Sequence, residues 1–247
     1  MTSPRQVVVI PARYESTRLP GKPLVELCGV PMVVRTWQRC REVVADDQLV
    51  VATEDARIRV ACERAGARVV MTAATHATGT DRVAEVALHI DADTYINVQG
   101  DEPVFNPGDL RALMAAAAQH PDAIINGYCA IEDEAMFRSG STPKCVVRPD
   151  GRLLYMSRAA IPTTKGHGFA QAWRQVCAYA FPRTALAAFA GAGGKTPLEA
   201  IEDIEILRFL ELGWDVRMIP MSSQSVAVDH PADIERAEAA IRALGLA

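Results

Sequence analysis

The sequence lacks the features that would direct a protein into a membrane or onto nucleic acid. No apolar stretch reaches the roughly 18 residues of a transmembrane helix, and residues 1–5 show no signal-peptide layout. The net charge is only −4, so general nucleic-acid binding would require strong segregation of the basic residues. We therefore expect a cytoplasmic protein with neither a nucleic-acid nor a membrane partner.

Common cysteine and glycine motifs are absent as well. The six cysteines are scattered, without a Cys-x-x-Cys pair or adjacent histidines, so we expect no disulfide, structural zinc or cysteine nucleophile. No Gly-x-Gly-x-x-Gly follows the first apolar strand, which disfavours a dehydrogenase-type dinucleotide fold. Residues 191–196 resemble the end of a P-loop, but Phe189 occupies the position of its first glycine. We expect a flexible connection there.

The order of apolar segments predicts an α/β fold. Strands alternate with amphipathic helices in the first half, which is typical of a parallel sheet covered on both faces. The middle favours antiparallel strands, and helices return after residue 197. We expect a single domain, with a core of residues 1–122 and 197–247 and an embedded section at about 123–196. The predicted strands are 6–10, 48–53, 67–71, 94–98, 123–131, 145–148, 152–155, 176–181, 216–220 and 226–228, and the predicted helices are 32–44, 55–65, 80–89, 108–119, 197–212 and 231–244.

The basic loop, residues 11–23, carries the strongest functional indication. It directly follows the apolar strand at 6–10 and contains Arg13, Arg18 and Lys22. Ligands of open α/β sheets bind at the carboxyl ends of the strands, where this loop begins. Two guanidinium groups and one ammonium group suit a triphosphate. The alternative interpretation is a solvated loop without a function.

Two aspartates could complete such a site with a metal ion. Asp101 follows a buried strand, in the segment 97–103, and a carboxylate there needs a cation or a hydrogen-bond donor. At the same sheet edge as the basic loop, it could hold Mg²⁺ against a nucleotide. Asp229, after the apolar residues 226–228, is a second potential ligand. Capping of a turn or helix is the alternative for both aspartates.

Two other charged segments leave their interpretation open. The predicted helix at 197–212 carries four acidic residues in its first nine positions, for which a solvated helix start is the ordinary explanation. Arg158 ends a predicted hairpin strand, where it forms either a surface ion pair or a bidentate contact with a substrate carboxylate.

These segments together resemble the 3-deoxy-manno-octulosonate (Kdo) cytidylyltransferase family, the CMP-Kdo synthetases. The resemblance runs in order over nearly the whole chain and is carried by the basic loop and by segments 76–82, 97–103, 157–162, 197–199 and 228–231. It implies a mostly parallel, Rossmann-like nucleotidyltransferase sheet with an embedded antiparallel substrate and dimerisation section. It also implies a homodimer that uses Mg²⁺ to join CTP to an acidic 2-keto-3-deoxy sugar, with release of pyrophosphate.

The resemblance further implies roles for individual residues. The expected catalytic residues are Lys22, Asp101, Asp229 and Arg13, of which Asp101 and Asp229 would hold the metal. The expected nucleotide-binding residues are Arg13, Arg18, Lys22, Thr78, Gly79, Arg82 and Gln99. The expected sugar-binding residues are Gln99, Arg158, Gln175, Tyr179 and Glu205.

The chain departs from the family's pattern at three places. Gln175 replaces a histidine, Ile206 replaces a glutamine, and residues 225–227 read Ser-Val-Ala instead of Gly-Thr-Gly. We expect all three on the sugar side and the CTP side intact. The hypothesis is that the nucleotide chemistry is retained while the sugar is either Kdo or a close relative of it. Alternatives are another acidic ketose such as a nonulosonic acid, another nucleotide, or an inactive nucleotide-binding protein, which has no need of both aspartates.

Overall fold

The protein is an α/β structure built on one large sheet. The structure is a computed structural model that describes residues 5–16 and 18–247, so residues 1–4 and Thr17 of the basic loop lie outside the described residues. The elements are β1 (Gln6–Pro11), β2 (Glu26–Leu27), β3 (Val30–Pro31), α1 (Met32–Arg41), β4 (Leu49–Thr53), α2 (Ala56–Arg64), β5 (Val69–Met71), α3 (Gly79–His89), β6 (Thr94–Val98), α4 (Pro107–Gln119), β7 (Ile124–Ala130), α5 (Glu134–Arg138), β8 (Lys144–Val147), β9 (Leu153–Ser157), β10 (Trp173–Pro182), α6 (Arg183–Gly191), α7 (Pro197–Glu202), α8 (Ile206–Glu211), β11 (Val216–Pro220) and α9 (Pro231–Ala243). Among the described residues, no helix is long and apolar enough to span a membrane.

The main sheet has the strand order β11-β7-β10-β6-β1-β4-β5. Strand β10 is antiparallel to both of its neighbours β6 and β7, whereas the other pairs along this path are parallel. The β8–β9 hairpin joins the sheet through β10. The predicted mostly parallel sheet with an antiparallel section is therefore confirmed. The division into a core and an embedded section stays a prediction, and two strands of that section, β7 and β10, lie within the main sheet.

Apolar layers cover both faces of the sheet. In β1, Val7 and Val9 face one layer while Val8 and Ile10 face the other, because successive strand side chains point to opposite faces. Helices α3, α6 and α8 complete the first layer, and α1, α2 and α4 complete the second. This burial on both faces explains why the central strands read as continuous apolar runs. Because both faces of the sheet are buried, polar functional side chains can reach solvent only at the ends of the central strands.

Two predicted elements are wrong, and helix α6 was missed. The helix expected at 197–212 is two short helices, because Asp203 adopts a left-handed backbone conformation (φ 51°) that ends α7. Residues 226–228 form no strand; Val228 N–H donates to the carbonyl of Asp101 at 3.1 Å, which ties this segment to the end of β6. Helix α6, which is rich in alanine and begins after Pro182, was not predicted. Its buried Leu186 and Phe189 explain why it folds against the sheet.

Candidate active site

A cavity of about 370 Å³ opens at the carboxyl ends of β1 and β6. Its lining includes every residue to which the sequence assigned a role: Arg13, Arg18, Lys22, Thr78, Gly79, Arg82, Gln99, Asp101, Arg158, Gln175, Tyr179, Glu205 and Asp229. The structure thus brings both predicted walls together in one place. The cavity is also lined by residues without an expected role, among them His76, Glu102, Cys177 and Asp203.

Lys22 lies between the two predicted metal ligands. Its Nζ is 2.5 Å from Asp101 Oδ2 and 3.0 Å from Asp229 Oδ1, and Arg18 Nη2 is 2.8 Å from the same Asp229 oxygen. Burial by itself would lower the pKa of Lys22, but the two carboxylates raise it above its ordinary value. The ammonium group is therefore firmly charged. Arg13, the third cation of the basic loop, is exposed at the cavity.

Close backbone approaches hold this cluster in place. Gly21 has a left-handed conformation (φ 66°) and starts the short 3₁₀ turn Lys22–Leu24, which presents the ammonium group. A Cβ on Gly100 would lie 2.9 Å from the carbonyl oxygen of Pro11, so only glycine lets the end of β6 pack against the end of β1. The hydrogen bond from Val228 to Asp101 brings Asp229 to the same edge.

The donor set of this cluster fits a hard divalent cation. Asp101 and Asp229 each direct one carboxylate oxygen at the ammonium group of Lys22. Carboxylate oxygens are also the protein ligands that Mg²⁺ prefers. Among the described residues, no group of three or more His, Cys, Asp or Glu side chains could hold a metal. The remaining ligands would then come from phosphate oxygens and water, as is usual for Mg²⁺.

The N-terminus of α3 lines the cavity on the side predicted to bind the nucleotide. Thr78 Oγ1 accepts from Asp81 N–H at 3.1 Å, and the Asp81 carboxylate accepts from Thr78 N–H at 3.0 Å, which makes a capping box. Gly79 packs closely against Gln99: a Cβ added at residue 79 would lie 3.1 Å from Gln99 Nε2. The partial positive charge at a helix N-terminus suits an anionic ligand.

Arg82 lies mostly behind the cavity. It is 3% exposed, and its Nη2 is 2.8 Å from Glu54 Oε2. Glu54 Oε1 in turn accepts from Tyr14 N–H at 2.8 Å. Arg82 thus supports the backbone of the basic loop through Glu54, a connection that the sequence did not indicate. Burial lowers the pKa of Arg82, against the opposing effect of the Glu54 carboxylate. Its contact with a nucleotide stays a prediction.

Arg158 occupies the opposite wall. Its guanidinium donates to three carbonyl oxygens, those of Glu202 at 2.5 Å, Asp203 at 2.9 Å and Gly140 at 3.0 Å. No carboxylate of the described residues lies within 4 Å of this guanidinium group, so the surface ion pair considered from the sequence is not formed there. The carbonyls hold the group in place, and none of these three hydrogen bonds neutralises its positive charge.

Glu205 and Tyr179 line the side of the cavity predicted to bind the sugar, which is called the sugar wall below. Glu205 Oε2 accepts from Thr80 N–H at 2.9 Å, which links this wall to α3. Burial raises the pKa of Glu205, with the Thr80 hydrogen bonds opposing the shift. Tyr179 is 7% exposed and stacks on Phe181 with 5.5 Å between the ring centroids. Burial raises its pKa well above the ordinary value, so the phenol remains neutral.

The three departures from the family pattern do not share one wall, and that expectation is wrong. Gln175 lines the cavity, but Ile206 is 1% exposed and packs in the apolar layer with Phe209. Adjacent residues of a helix point about 100° apart, so Glu205 and Ile206 face different surroundings. Ser225 donates its hydroxyl to Glu102, and Ala227 lines the cavity two residues before Asp229.

Comparisons with known proteins identify the family of this chain. The family model for cytidylyltransferases matches residues 7–216. A 3-deoxy-manno-octulosonate cytidylyltransferase of Myxococcus xanthus is 43% identical and covers 99% of this chain and 100% of its own length. That of Escherichia coli is 35% identical, with 95% of each chain covered.

Solved structures extend the comparison. A CMP:2-keto-3-deoxy-manno-octonic acid synthetase complexed with CTP superposes with a TM-score of 0.90, at 34% identity, over 97% of this chain and 99% of that one. A cytidylyltransferase from Leptospira borgpetersenii shares the fold, with a TM-score of 0.65 and 15% identity over 97% of this chain and 87% of that one. On the sequence match and the shared fold, the chain belongs to the cytidylyltransferase family.

Proposed function

We propose that the protein transfers the cytidylyl group of CTP to Kdo or a close acidic 2-keto-3-deoxy sugar and releases pyrophosphate. The observation that carries this proposal is the cluster of Lys22, Asp101 and Asp229 at the junction of the two walls of one cavity. Relatives that cover nearly the full chain have the name of this activity, and the structural relative with the TM-score of 0.90 was solved with CTP.

The nucleotide wall supplies positive charge to the triphosphate. Arg13, Arg18 and Lys22 lie along the basic loop, and the N-terminus of α3 faces the same space. The sugar's anomeric hydroxyl attacks the α-phosphorus, a new O–P bond forms, and the bond from the α-phosphorus to the pyrophosphate oxygen breaks. The hydroxyl proton is released. Lys22 and the arginines then stabilise the negative charge that grows on the pyrophosphate.

We propose Mg²⁺ as the metal, held by Asp101 and Asp229. When bound, it supplies the positive charge that activates the attacking oxygen and offsets charge on the leaving group. Lys22 contacts the carboxylates of both Asp101 and Asp229, so it holds them in place and offsets part of their negative charge.

The sugar wall recognises an acid. Arg158 is held by three backbone carbonyls and provides a guanidinium for the sugar carboxylate. Gln99, Gln175, Tyr179 and Glu205 offer hydrogen bonds to hydroxyl groups around it. Gln175, at a position where the family usually has histidine, favours a second candidate, an acidic ketose that differs from Kdo.

We further propose a homodimer and a cytoplasmic location. Three exposed apolar side chains lie on neighbouring elements: Leu154 on β9 (57% exposed), and Leu198 (38%) and Ile201 (78%) on α7. The Glu202 carboxylate accepts from the hydroxyl of Ser157 at 2.6 Å, which holds α7 against β9. An exposed apolar surface of this kind supports association with a second copy. Light scattering in solution measures the molar mass of the protein, and a mass of two chains is the result expected for a homodimer.

The test is pyrophosphate release from CTP and Mg²⁺ with a panel of 2-keto-3-deoxy acids that includes Kdo. Asp101→Asn should abolish turnover and leave the fold intact, because it removes a charged metal ligand. Asp47→Asn, a change at an exposed aspartate that does not line the cavity, is the matched control and should retain full activity. Near-normal activity of Asp101→Asn would contradict the metal role, and no turnover with any acid would contradict the proposed function.

A further inference from the structure

A bulge in β10 lies directly beside the sugar wall. The pairing of β10 with β7 shifts register between Val176 and Tyr179. The fully buried Asn126 of β7 fills this irregularity: its Nδ2 donates to the carbonyls of Val176 at 3.0 Å and Ala178 at 2.9 Å. Both N–H groups of the Asn126 amide are therefore engaged by groups that only accept.

This arrangement determines which way the Asn126 amide faces. A flipped amide would place its oxygen against two carbonyl oxygens, which is repulsive, so the hydrogen-bond pattern excludes the flip. Asn126 Oδ1 must then face Gln175. Because Oδ1 only accepts, Gln175 has to donate to it, and Gln175 Nε2 lies 3.0 Å from Asn126 Oδ1.

The orientation of Gln175 follows in the same way. Its nitrogen is held by Asn126, so its oxygen occupies the other side of the amide. Gln175 is 7% exposed and lines the cavity. Within the described part of the chain, Gln175 Oε1 has no hydrogen-bond partner, and it is not among the polar atoms sealed from solvent. The group that Gln175 offers to the cavity is a hydrogen-bond acceptor.

We infer that Gln175 is a specificity-determining residue that accepts a hydrogen bond from a hydroxyl of the acidic sugar, with Asn126 as its positioning residue. The identity of the ligand rests on the proposed function, whereas the orientation of the amide does not. A histidine ring nitrogen can donate or accept, but this amide oxygen only accepts. The chain therefore selects a substrate with a donor at this position, and it disfavours analogues that leave this cavity-facing oxygen without a donor.

Kinetics with deoxy sugars test the substrate side of this inference. Kdo and its 4-, 5-, 7- and 8-deoxy analogues are compared by kcat/KM in the wild type and in Gln175→Met, which keeps the side-chain length without the amide. In the wild type, one analogue should be used about 10- to 100-fold less efficiently than Kdo. Gln175→Met should lose this discrimination with an unchanged KM for CTP. A variant that keeps the wild-type ranking of the analogues overturns the inference.

The pH profile of Gln175→Glu tests the role of Asn126. When protonated, the introduced carboxyl donates to Asn126 Oδ1 and still offers an acceptor oxygen to the sugar. When ionised, it places a negative charge against Asn126 Oδ1. The ratio of kcat/KM for the variant to that for the wild type should therefore fall as the pH rises from 5.5 to 8.5. A ratio that stays constant or rises overturns the positioning role, since a merely structural defect would lower activity at every pH.

A measurement on the free protein separates this inference from the proposed function. The side-chain amide signals of Gln175, assigned by their loss in Gln175→Met, should exchange slowly with solvent in ¹H–¹⁵N spectra, because Asn126 holds the nitrogen. Rapid exchange shows that the nitrogen faces the cavity and overturns the inference. If the wild type releases no pyrophosphate with any acid, the proposed function fails, and the exchange rate still decides the orientation of Gln175.

Discussion

The buried ion pair of Arg208 and Glu199 gives a stability prediction that can be worked out from its geometry. Arg208 is 2% exposed and Glu199 is fully buried. They form two parallel hydrogen bonds, Nε to Oε2 at 2.6 Å and Nη2 to Oε1 at 2.8 Å. The guanidinium also lies 3.6 Å from the centroid of the Phe189 ring. The perturbation is Arg208→Met, which keeps an unbranched apolar side chain and removes the charge.

The expected loss is large because the partner charge stays behind. Removal of one member of a buried ion pair costs about 3–5 kcal/mol, since the other charge is left uncompensated. In a domain of this size, 1 kcal/mol lowers Tm by roughly 2–4 °C, so the expected decrease is on the order of 6–20 °C. Glu199→Gln/Arg208→Met, which removes both charges, should recover about 2 kcal/mol or more of that loss.

Urea unfolding and calorimetry of the single and double variants measure these differences. The matched control is Arg242→Met, which breaks an exposed pair with Glu238 and should cost less than about 1 kcal/mol. The reasoning is refuted if Arg208→Met lies within about 1 kcal/mol of the wild type. It is also refuted if the double variant is no more stable than the single one, because a stranded Glu199 charge could then not explain the loss.

Two further predictions concern the site itself. Burial raises the pKa of Glu102 to about 7, above 4.5, so its ionisation opposes folding as the pH rises through 7. The stability advantage of Glu102→Gln over the wild type should therefore grow from pH 5 to pH 8, by up to about 3 kcal/mol in metal-free urea unfolding. A stability difference that does not change with pH would contradict this. Gly100→Ala should reduce kcat/KM at least about 10-fold because its Cβ meets the rigid carbonyl of Pro11. Gly79→Ala, which meets the movable Gln99 side chain, should cost less, and equal losses would argue against the backbone contact.

The sequence predicted those parts of the site that depend on strand ends. An apolar run followed directly by the basic loop, and another followed by Asp101, place these groups at one sheet edge, because parallel strands end on the same side. The structure brings Lys22 of the basic loop and Asp101 together in one cavity, and this proximity follows from the strand order alone. Gln175, Tyr179 and Glu205 were assigned by resemblance alone, whereas Asp229 and Arg158 were candidates from their own sequence positions before the resemblance added to them. Their positions depend on long-range pairings, such as that of Val228 with Asp101, which have no local signal.

The Arg208–Glu199 pair shows why other features could not be predicted. The acidic residues near 197–205 read as a solvated helix start, yet Glu199 is fully buried. In one continuous helix, residues nine positions apart are separated by about 13.5 Å along the axis, too far for a direct contact. The contact exists because the chain reverses at Asp203, an aspartate with a positive φ. Nothing in the local sequence identifies this residue as a helix end, because glycine is the usual residue there.

The same reversal at Asp203 connects the two walls of the cavity. It exposes the carbonyls of Glu202 and Asp203, which hold Arg158, and it brings Glu205 onto Thr80 N–H at the start of α3. The groups proposed to bind the sugar are therefore positioned by backbone atoms of one turn, and that turn is bonded to the helix proposed to face the nucleotide. We therefore expect sugar selectivity in this chain to depend on that backbone geometry as well as on the lining side chains. A comparison of lining residues alone would miss this contribution, because two proteins can share Arg158 while the backbone carbonyls that orient its guanidinium group lie in different positions.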